Sequence, residues 1–516
     1  MSEKNNTTKA ISAVTILLVV TKLMGFVREM VIASFFGATY QTDAYNMAVG
    51  IPNVFTIVVS AGIAAVFIPL YNKKKVELSK ESADLFASNL FWFTTLLFGI
   101  ISIIGIVTSP LLVSLLAPNF SYEAAKLTVT VVRILFVFLL STNITNVLTS
   151  VLQIYNKFAI TIIATFPFSI FTILFIIAFY EQLGIFALVI SFVLFWVVQA
   201  LILFFSAKKV FKLSPILSFT NGEIKQVIIL SLPVYLGVAA WEVNIVVDRI
   251  IASGLPAGSI TAMNFAHRLR ELPNGIITAA VLTVVFPLLS KYAANKDISA
   301  LKALTTRTMT MLVLTFTPIV AIGIYYPVEI TGIVFERGAF TSDDTALTAS
   351  IFIFFIASLV FTSCITLINN AFISMQNTLT PQIGSVVMIA INITLNIVFV
   401  QIWGAPGLAL ATLIAFFVNF VLIFVLFRLK VGSFGGLALL KNVSKCVLAA
   451  LCMVPVFLLF EYLREGLPLL IFFALASIVS LGVYALVLYL LKVELFTEMA
   501  ARALNIIKSR LKIARR

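Results

Sequence analysis

Apolar runs of roughly 20 residues succeed one another along the chain with short polar breaks between them. At 1.5 Å per residue each can cross about 30 Å of hydrocarbon as a helix. The runs centre near residues 23, 57, 96, 139, 169, 195, 239, 277, 314, 357, 391, 417, 452 and 480, which predicts fourteen transmembrane helices. Shorter segments of strict apolar and polar alternation, the mark of a membrane strand, do not dominate. A helix also satisfies its own backbone in lipid. The fold class expected is therefore an all-α integral membrane protein.

Composition agrees. With 61% hydrophobic residues, 11% charged residues and a mean hydropathy of +1.13, the chain cannot present the surface of an ordinary soluble domain. The first apolar segment carries Lys22, Arg28 and Glu29 and lacks a small-residue cleavage site after it, so the N-terminus is expected to be retained. Cys364, Cys446 and Cys452 all lie in apolar segments, where they are expected to pack as small hydrophobes.

Orientation follows from the basic residues. Placing the N-terminus in the cytoplasm assigns 26 of the 35 Lys and Arg to the cytoplasmic side and leaves Lys126, Arg337 and Arg464 outside. Both termini are then cytoplasmic. The net charge of +14 points to orientation and to anionic membrane lipids as partners rather than to nucleic acid. The tail, residues 494–516, spaces its apolar positions at helical intervals and fills the rest with Lys and Arg. It reads as a basic amphipathic helix on the cytoplasmic membrane surface, with partner binding as the alternative.

An internal repeat organises the spans. IAS at 32–34, AYNMA at 44–48 and IPN at 51–53 recur as IAS at 251–253, AMNFA at 262–266 and LPN at 272–274. Six spans separate the copies, so both run the same way through the membrane, as in parallel-repeat transporters with a substrate path between two bundles. The expected domains are an N-lobe of helices 1–6 (1–215), a C-lobe of helices 7–12 (216–435), two added helices (436–493) and the tail (494–516).

Charges inside the spans cluster in these repeat units: Lys22, Arg28, Glu29 and Asp43 in the first, Glu242, Asp248, Arg249, Arg268, Arg270 and Glu271 in the second. Charged side chains at membrane depth are costly and mark hydrated paths. Ion pairing within the bundle is the competing reading for Asp248 with Arg249 and for Arg270 with Glu271. Arg133 reads as reaching for the interface, and His267 as a satisfied polar group rather than a proton relay. Asp43 opens a helix and could serve only as its N-cap. Arg28 and Arg268 are less easily explained so, because two separated guanidinium forks suit phosphate oxygens. A diphosphate headgroup is the expected ligand. No nucleophile with an adjacent base, glycine-rich phosphate loop or Cys/His metal spacing is present, so no enzyme activity is expected.

Several stretches resemble the MurJ (MviN) lipid II flippase family: TKLMGFVREMVIASFFGATYQTDAY, VDRIIASGLPAGSITAMNFAHRLRELPNGI, VFERGAFTSDDTALTA and NAFISMQNTLTP. The resemblance spans nearly the whole chain. It implies two six-helix lobes, with helices 13 and 14 forming a groove for an undecaprenyl tail, and alternating-access transport of lipid-linked peptidoglycan precursor from the inner to the outer leaflet. The implied setting is the bacterial cytoplasmic membrane, with cell-wall synthesis machinery as a candidate partner. By motif the resemblance implies Lys22, Arg28, Asp43 and Arg268 as substrate residues, and Glu29 and Arg270 from the span charges complete the expected substrate-binding set. The chain departs from the family pattern at Thr56, Ile57 and Ala61, where arginines and a glutamate are usual; Arg270 is a candidate replacement for the missing charge. Some family members hold sodium, and Asp248, Asn392, Asn396 and Thr412 match those positions, with helix-to-helix hydrogen bonding as the alternative. Apart from sodium no cofactor is expected. Transport of another undecaprenyl-linked polysaccharide, or drug and cation antiport, are the alternative activities.

Overall fold

A computed structural model describes residues 20–218 and 222–501, and among these the regular structure is helical, with no strand. Helix α1 covers residues 20–36. It is followed by α2 (Tyr40–Glu77), α3 (Lys80–Leu116), α4 (Tyr122–Ile154), α5 (Phe158–Thr165), α6 (Pro167–Leu183), α7 (Ile185–Ala207), α8 (Glu223–Ala252) and α9 (Ser259–Ala294). The remainder are α10 (Ile298–Tyr325), α11 (Pro327–Phe335), α12 (Ser342–Ala357), α13 (Leu359–Ser374), α14 (Leu379–Trp403), α15 (Ala405–Val431), α16 (Gly436–Leu451), α17 (Val454–Tyr462) and α18 (Leu469–Leu490).

Among the described residues, eleven helical stretches are long and apolar enough to cross a membrane, three of them joining α5 with α6, α12 with α13 and α16 with α17. They contain eleven of the expected centres. The other three, near 23, 57 and 239, fall within α1, α2 and α8. The chain is a multi-pass helical membrane protein.

Local chemistry sets the helix ends. Thr39 caps α2 through a reciprocal bond pair with Thr42, and Ser79 and Ser121 accept from the first turns of α3 and α4. Prolines inside α2, α3, α9 and α10 remove backbone donors. In α2 Thr56 Oγ1 donates to the Pro52 carbonyl at 3.4 Å, whereas the carbonyl that Pro52 leaves without its helical donor is that of Ala48, one turn earlier.

The chain divides into two compact units: Met1–Ala262 with Arg337–Asp344, and Met263–Glu336 with Thr345–Arg516. In the first, α4 packs against α2, α3 and α7, and α8 packs on α2 and α3. Its core includes Phe67, Tyr71, Phe86, Leu90, Val147 and Val151. In the second, α14 and α15 form a tight hairpin, α10 contacts α13, α16 and α18, and α18 contacts α11 and α17. Buried Tyr326 anchors this last group, its ring edge-on to Phe457 and Phe472 and its hydroxyl donating to the Phe457 carbonyl at 3.3 Å. The tail is helical over 494–501, where Arg307 pairs with Glu498; residues 502–516 lie outside the described residues.

Candidate functional site

Within the first unit, Asp43 organises a junction of three turns. It is 4% exposed. Its Oδ2 accepts from the Gly258 amide at 2.6 Å, and its Oδ1 accepts from the Thr261 amide at 2.8 Å and from Thr261 Oγ1 at 2.7 Å. The N-cap of its own helix is Thr39, so capping of α2 is not what Asp43 does. It instead serves unsatisfied donors at the start of α9, where a helix N-terminus favours negative charge. Asn46 adds a bond from Nδ2 to Thr261 Oγ1 at 3.1 Å.

The third turn is residues 337–341. Ala339 donates its amide to the Ser34 carbonyl at 2.7 Å. Two glycines allow the interlock, because each has positive φ and no room for a side chain. A Cβ on Gly258 (φ +91°) would lie 2.2 Å from the Ala38 oxygen, and one on Gly338 (φ +60°) 2.2 Å from the Ser34 oxygen. Three bonds to a carboxylate are worth about 5–9 kcal/mol gross at 1.5–3 each, and burying the charge costs several kcal/mol. The net is a few kcal/mol.

On α1, Arg28 bonds Glu29 at 2.8 Å, both side chains about one-seventh exposed, and its guanidinium lies 4.5 Å above the Phe168 ring of α6. The aromatic face offers a partly buried cation attraction without neutralising it. Lys22 is exposed. On α8, Asn244 donates to Asp248 at 3.4 Å, and the Arg249 guanidinium occupies the space over Gly50 of α2, where a Cβ would meet it. Arg133, although exposed, donates from Nε to Ser109 Oγ of α3 at 3.0 Å.

The second unit separates two neighbouring cations of α9. His267 and Arg268 are exposed, and His267 lies edge-on to Phe355. Arg270 is 6% exposed: Nη1 donates to Ser358 Oγ at 3.2 Å, Nη2 lies 3.7 Å from Glu271, and the guanidinium stands over Phe416 at 5.6 Å. Its Nε is buried without a hydrogen-bond partner. Glu271 also accepts from Asn274 at 3.3 Å. Arg270 is thus held in packing, whereas Arg268 is exposed.

Three of the four sodium candidates come together in this unit. Asn396 donates to Asn392 Oδ1 at 3.1 Å, and Asn392 donates to Thr412 Oγ1 at 3.2 Å. Asn392 and Asn396 are buried. Such neutral oxygen donors suit a hard cation. Asp248, the carboxylate candidate, belongs to the first unit. Among the described residues, no group of three or more His, Cys, Asp and Glu could hold a metal ion.

The sequence model of the family described as "Lipid II flippase MurJ" matches residues 32–494, which takes in α2 through α18, while Lys22, Arg28 and Glu29 precede its first residue. The chain belongs to the MurJ family. Among curated relatives, a "Probable lipid II flippase MurJ" of Bdellovibrio bacteriovorus is 28% identical over 467 residues, 88% of this chain and 89% of the relative. The "Lipid II flippase MurJ" of Burkholderia cenocepacia is 24% identical over 433 residues, 81% and 83% of the two chains. Two solved structures share the fold. "Lipid II flippase MurJ, inward closed conformation" has a TM-score of 0.79 at 24% identity and covers 92% of this chain and 98% of that one. An inward-facing multidrug resistance MATE family transporter of the MOP superfamily has a TM-score of 0.67 at 15% identity, with 82% and 96% covered.

Against the MurJ family pattern, reading the sequence overlooked Thr261, Gly258 and Phe168. The signal for Thr261 lay in the repeat, since the offset of 218 that aligns AYNMA with AMNFA also aligns Asp43 with Thr261. Phe168 had no such signal, because a phenylalanine in an apolar run looks like any lipid-facing residue.

Proposed function

We propose that this protein is a lipid II flippase that carries undecaprenyl-diphosphate-linked peptidoglycan precursor from the inner to the outer leaflet of the bacterial cytoplasmic membrane by alternating access. The observation that carries the reading is the family match over residues 32–494. It is a transporter, not an enzyme.

Lys22, Arg28 and Arg268 bind the diphosphate, with Glu29 holding Arg28 until phosphate oxygens compete for its fork. Asp43 and Arg270 act on the site from behind. Asp43 latches the start of α9, and the latch must open for release at the outer face. Arg270 fixes the α9 segment that presents Arg268. Both termini are cytoplasmic, and helices 13 and 14, formed by α16 with α17 and by α18, receive the lipid tail. Asn392, Asn396 and Thr412 would hold a sodium ion through their side-chain oxygens, with Asp248 as the candidate carboxylate, and the bound cation would supply the coupling of its gradient to resetting. The membrane potential can contribute about 2.3 kcal/mol per charge per 100 mV. Cell-wall synthesis enzymes would consume the product.

The experiment is depletion of the native flippase in a bacterium carrying this gene, scoring lipid II on the outer leaflet. Rescue by the wild type and failure of well-folded Arg28→Ala and Arg268→Ala proteins are expected. An expressed wild type that does not rescue would move the substrate to another undecaprenyl-linked glycan.

A further inference from the structure

The first unit holds a cationic concavity made of residues other than those proposed for transport. A cavity of about 450 Å³ is lined by Lys80, Lys208, Lys209 and Lys212, with Asp84 as the carboxylate among its lining residues. Leu148, Phe204 and Phe211 supply an apolar wall. Lys80 opens α3 and the other three follow the end of α7, so two segments far apart in sequence converge on one space.

The bland explanation is that lysines gather at the cytoplasmic ends of membrane helices, and that those after α7 complement its C-terminal carbonyls. Neither accounts for convergence around a walled cavity with an ordered floor. Asp84 is 8% exposed and is already engaged: Tyr71 donates to it at 2.7 Å, and the Tyr155 hydroxyl lies 2.8 Å from that of Tyr71. Lys75 and Lys80 stand over the Tyr155 ring at 4.9 and 5.6 Å. The segment bearing Lys212 is tied to α3. Ser214 donates its amide to Ser88 Oγ at 3.0 Å and accepts from Trp92 Nε1 at 3.0 Å, while Asn89 exchanges bonds with Ser218 in both directions at 2.8 and 2.9 Å.

Four lysines therefore line one cavity with a single carboxylate among them, and that carboxylate is already bound to a tyrosine. Like charges in a concave, low-dielectric wall concentrate a counter-ion. Ammonium groups bind phosphate as point charges without demanding one orientation. The volume lies in the range of small-ligand sites. The apolar wall beside the charges suits a group with a hydrocarbon end. We propose that this cavity binds a phosphate group, carried by an anionic phospholipid or by a small soluble phosphate, at a site distinct in its residues from the transport site.

The test uses the full-length protein in neutral detergent, titrated with phosphatidylglycerol, phosphatidylcholine or inorganic phosphate and read by native mass spectrometry and thermal unfolding. Wild type should retain phosphatidylglycerol over phosphatidylcholine. Lys209→Gln with Lys212→Gln, both exposed positions that fold as before, should weaken it roughly 25-fold, about fivefold per lysine. Lys73→Gln, a basic neighbour that does not line the cavity, is the control and should change nothing. Protection and competition by inorganic phosphate would assign the site to soluble phosphate as well; their absence would assign it to the lipid. Wild-type binding by the double variant, an equal loss in the control, or no selectivity in the wild type would each overturn the proposal. None of these results depends on whether lipid II is the transported substrate.

Discussion

Asp43 and Thr261 occupy equivalent positions in the two repeats, 218 residues apart, and they bond to each other directly, Oδ1 accepting from the Thr261 amide at 2.8 Å and its hydroxyl at 2.7 Å. The repeat-equivalent helix starts therefore meet at matching positions. The match is not symmetric in chemistry: one copy supplies the acceptor, the other the donors.

Asp43→Asn should keep the shape and lose the charge. Its amide nitrogen would face a donor, so stability should fall by about 1–3 kcal/mol, visible as a lower thermal midpoint in detergent, and flipping should drop. Thr261→Val, which removes only the hydroxyl donor, should cost about 1 kcal/mol. A wild-type midpoint for Asp43→Asn would mean that the three bonds contribute nothing net.

Alanine at Gly258 or Gly338 should be worse tolerated than alanine at Gly25. The first two have positive φ and a carbonyl oxygen 2.2 Å from the added carbon, whereas nothing lies within 4 Å of a Cβ at Gly25. Left-handed backbone costs a non-glycine residue roughly 1–2 kcal/mol before any overlap is counted. Gly25→Ala, inside a helix, should instead stabilise by roughly 0.5–1 kcal/mol. Parallel unfolding curves of the three variants decide the matter.

Arg268→Ala and Arg270→Ala should fail differently. The first removes an exposed cation, so the protein should lose less stability than Arg270→Ala does and yet not rescue flippase depletion. The second opens a buried contact with Ser358 and Phe416, and should lose about 1–3 kcal/mol of stability. Equal stability of the two variants would refute this division of labour.

Sodium should stabilise the protein. At a concentration about ten times the dissociation constant, the gain is about 1.4 kcal/mol, measured as a thermal shift in sodium chloride against choline chloride. Asp248→Asn and Asn396→Ala should abolish the difference. A shift that persists in both variants would place the ion elsewhere or make the effect one of ionic strength.

The sequence alone determined the helices, because run length and apolarity are properties of the chain and lipid admits few other solutions. It also determined the repeat, and with it the equivalence of Asp43 and Thr261. It could not say that equivalent residues touch, since contact depends on where two distant helix starts are brought. Nor could it separate Arg268 from Arg270. Two residues apart, they point about 200° from each other around α9. Which direction is packed was decided by Ser358 and Phe416, residues far along the chain. The four lysines of the cavity between α3 and the segment after α7 likewise read as scattered membrane-surface charges, until the packing of those two segments set them around one space. Periodicity fixes what each segment becomes; only the packing of distant segments fixes which of its faces meets protein and which meets a ligand.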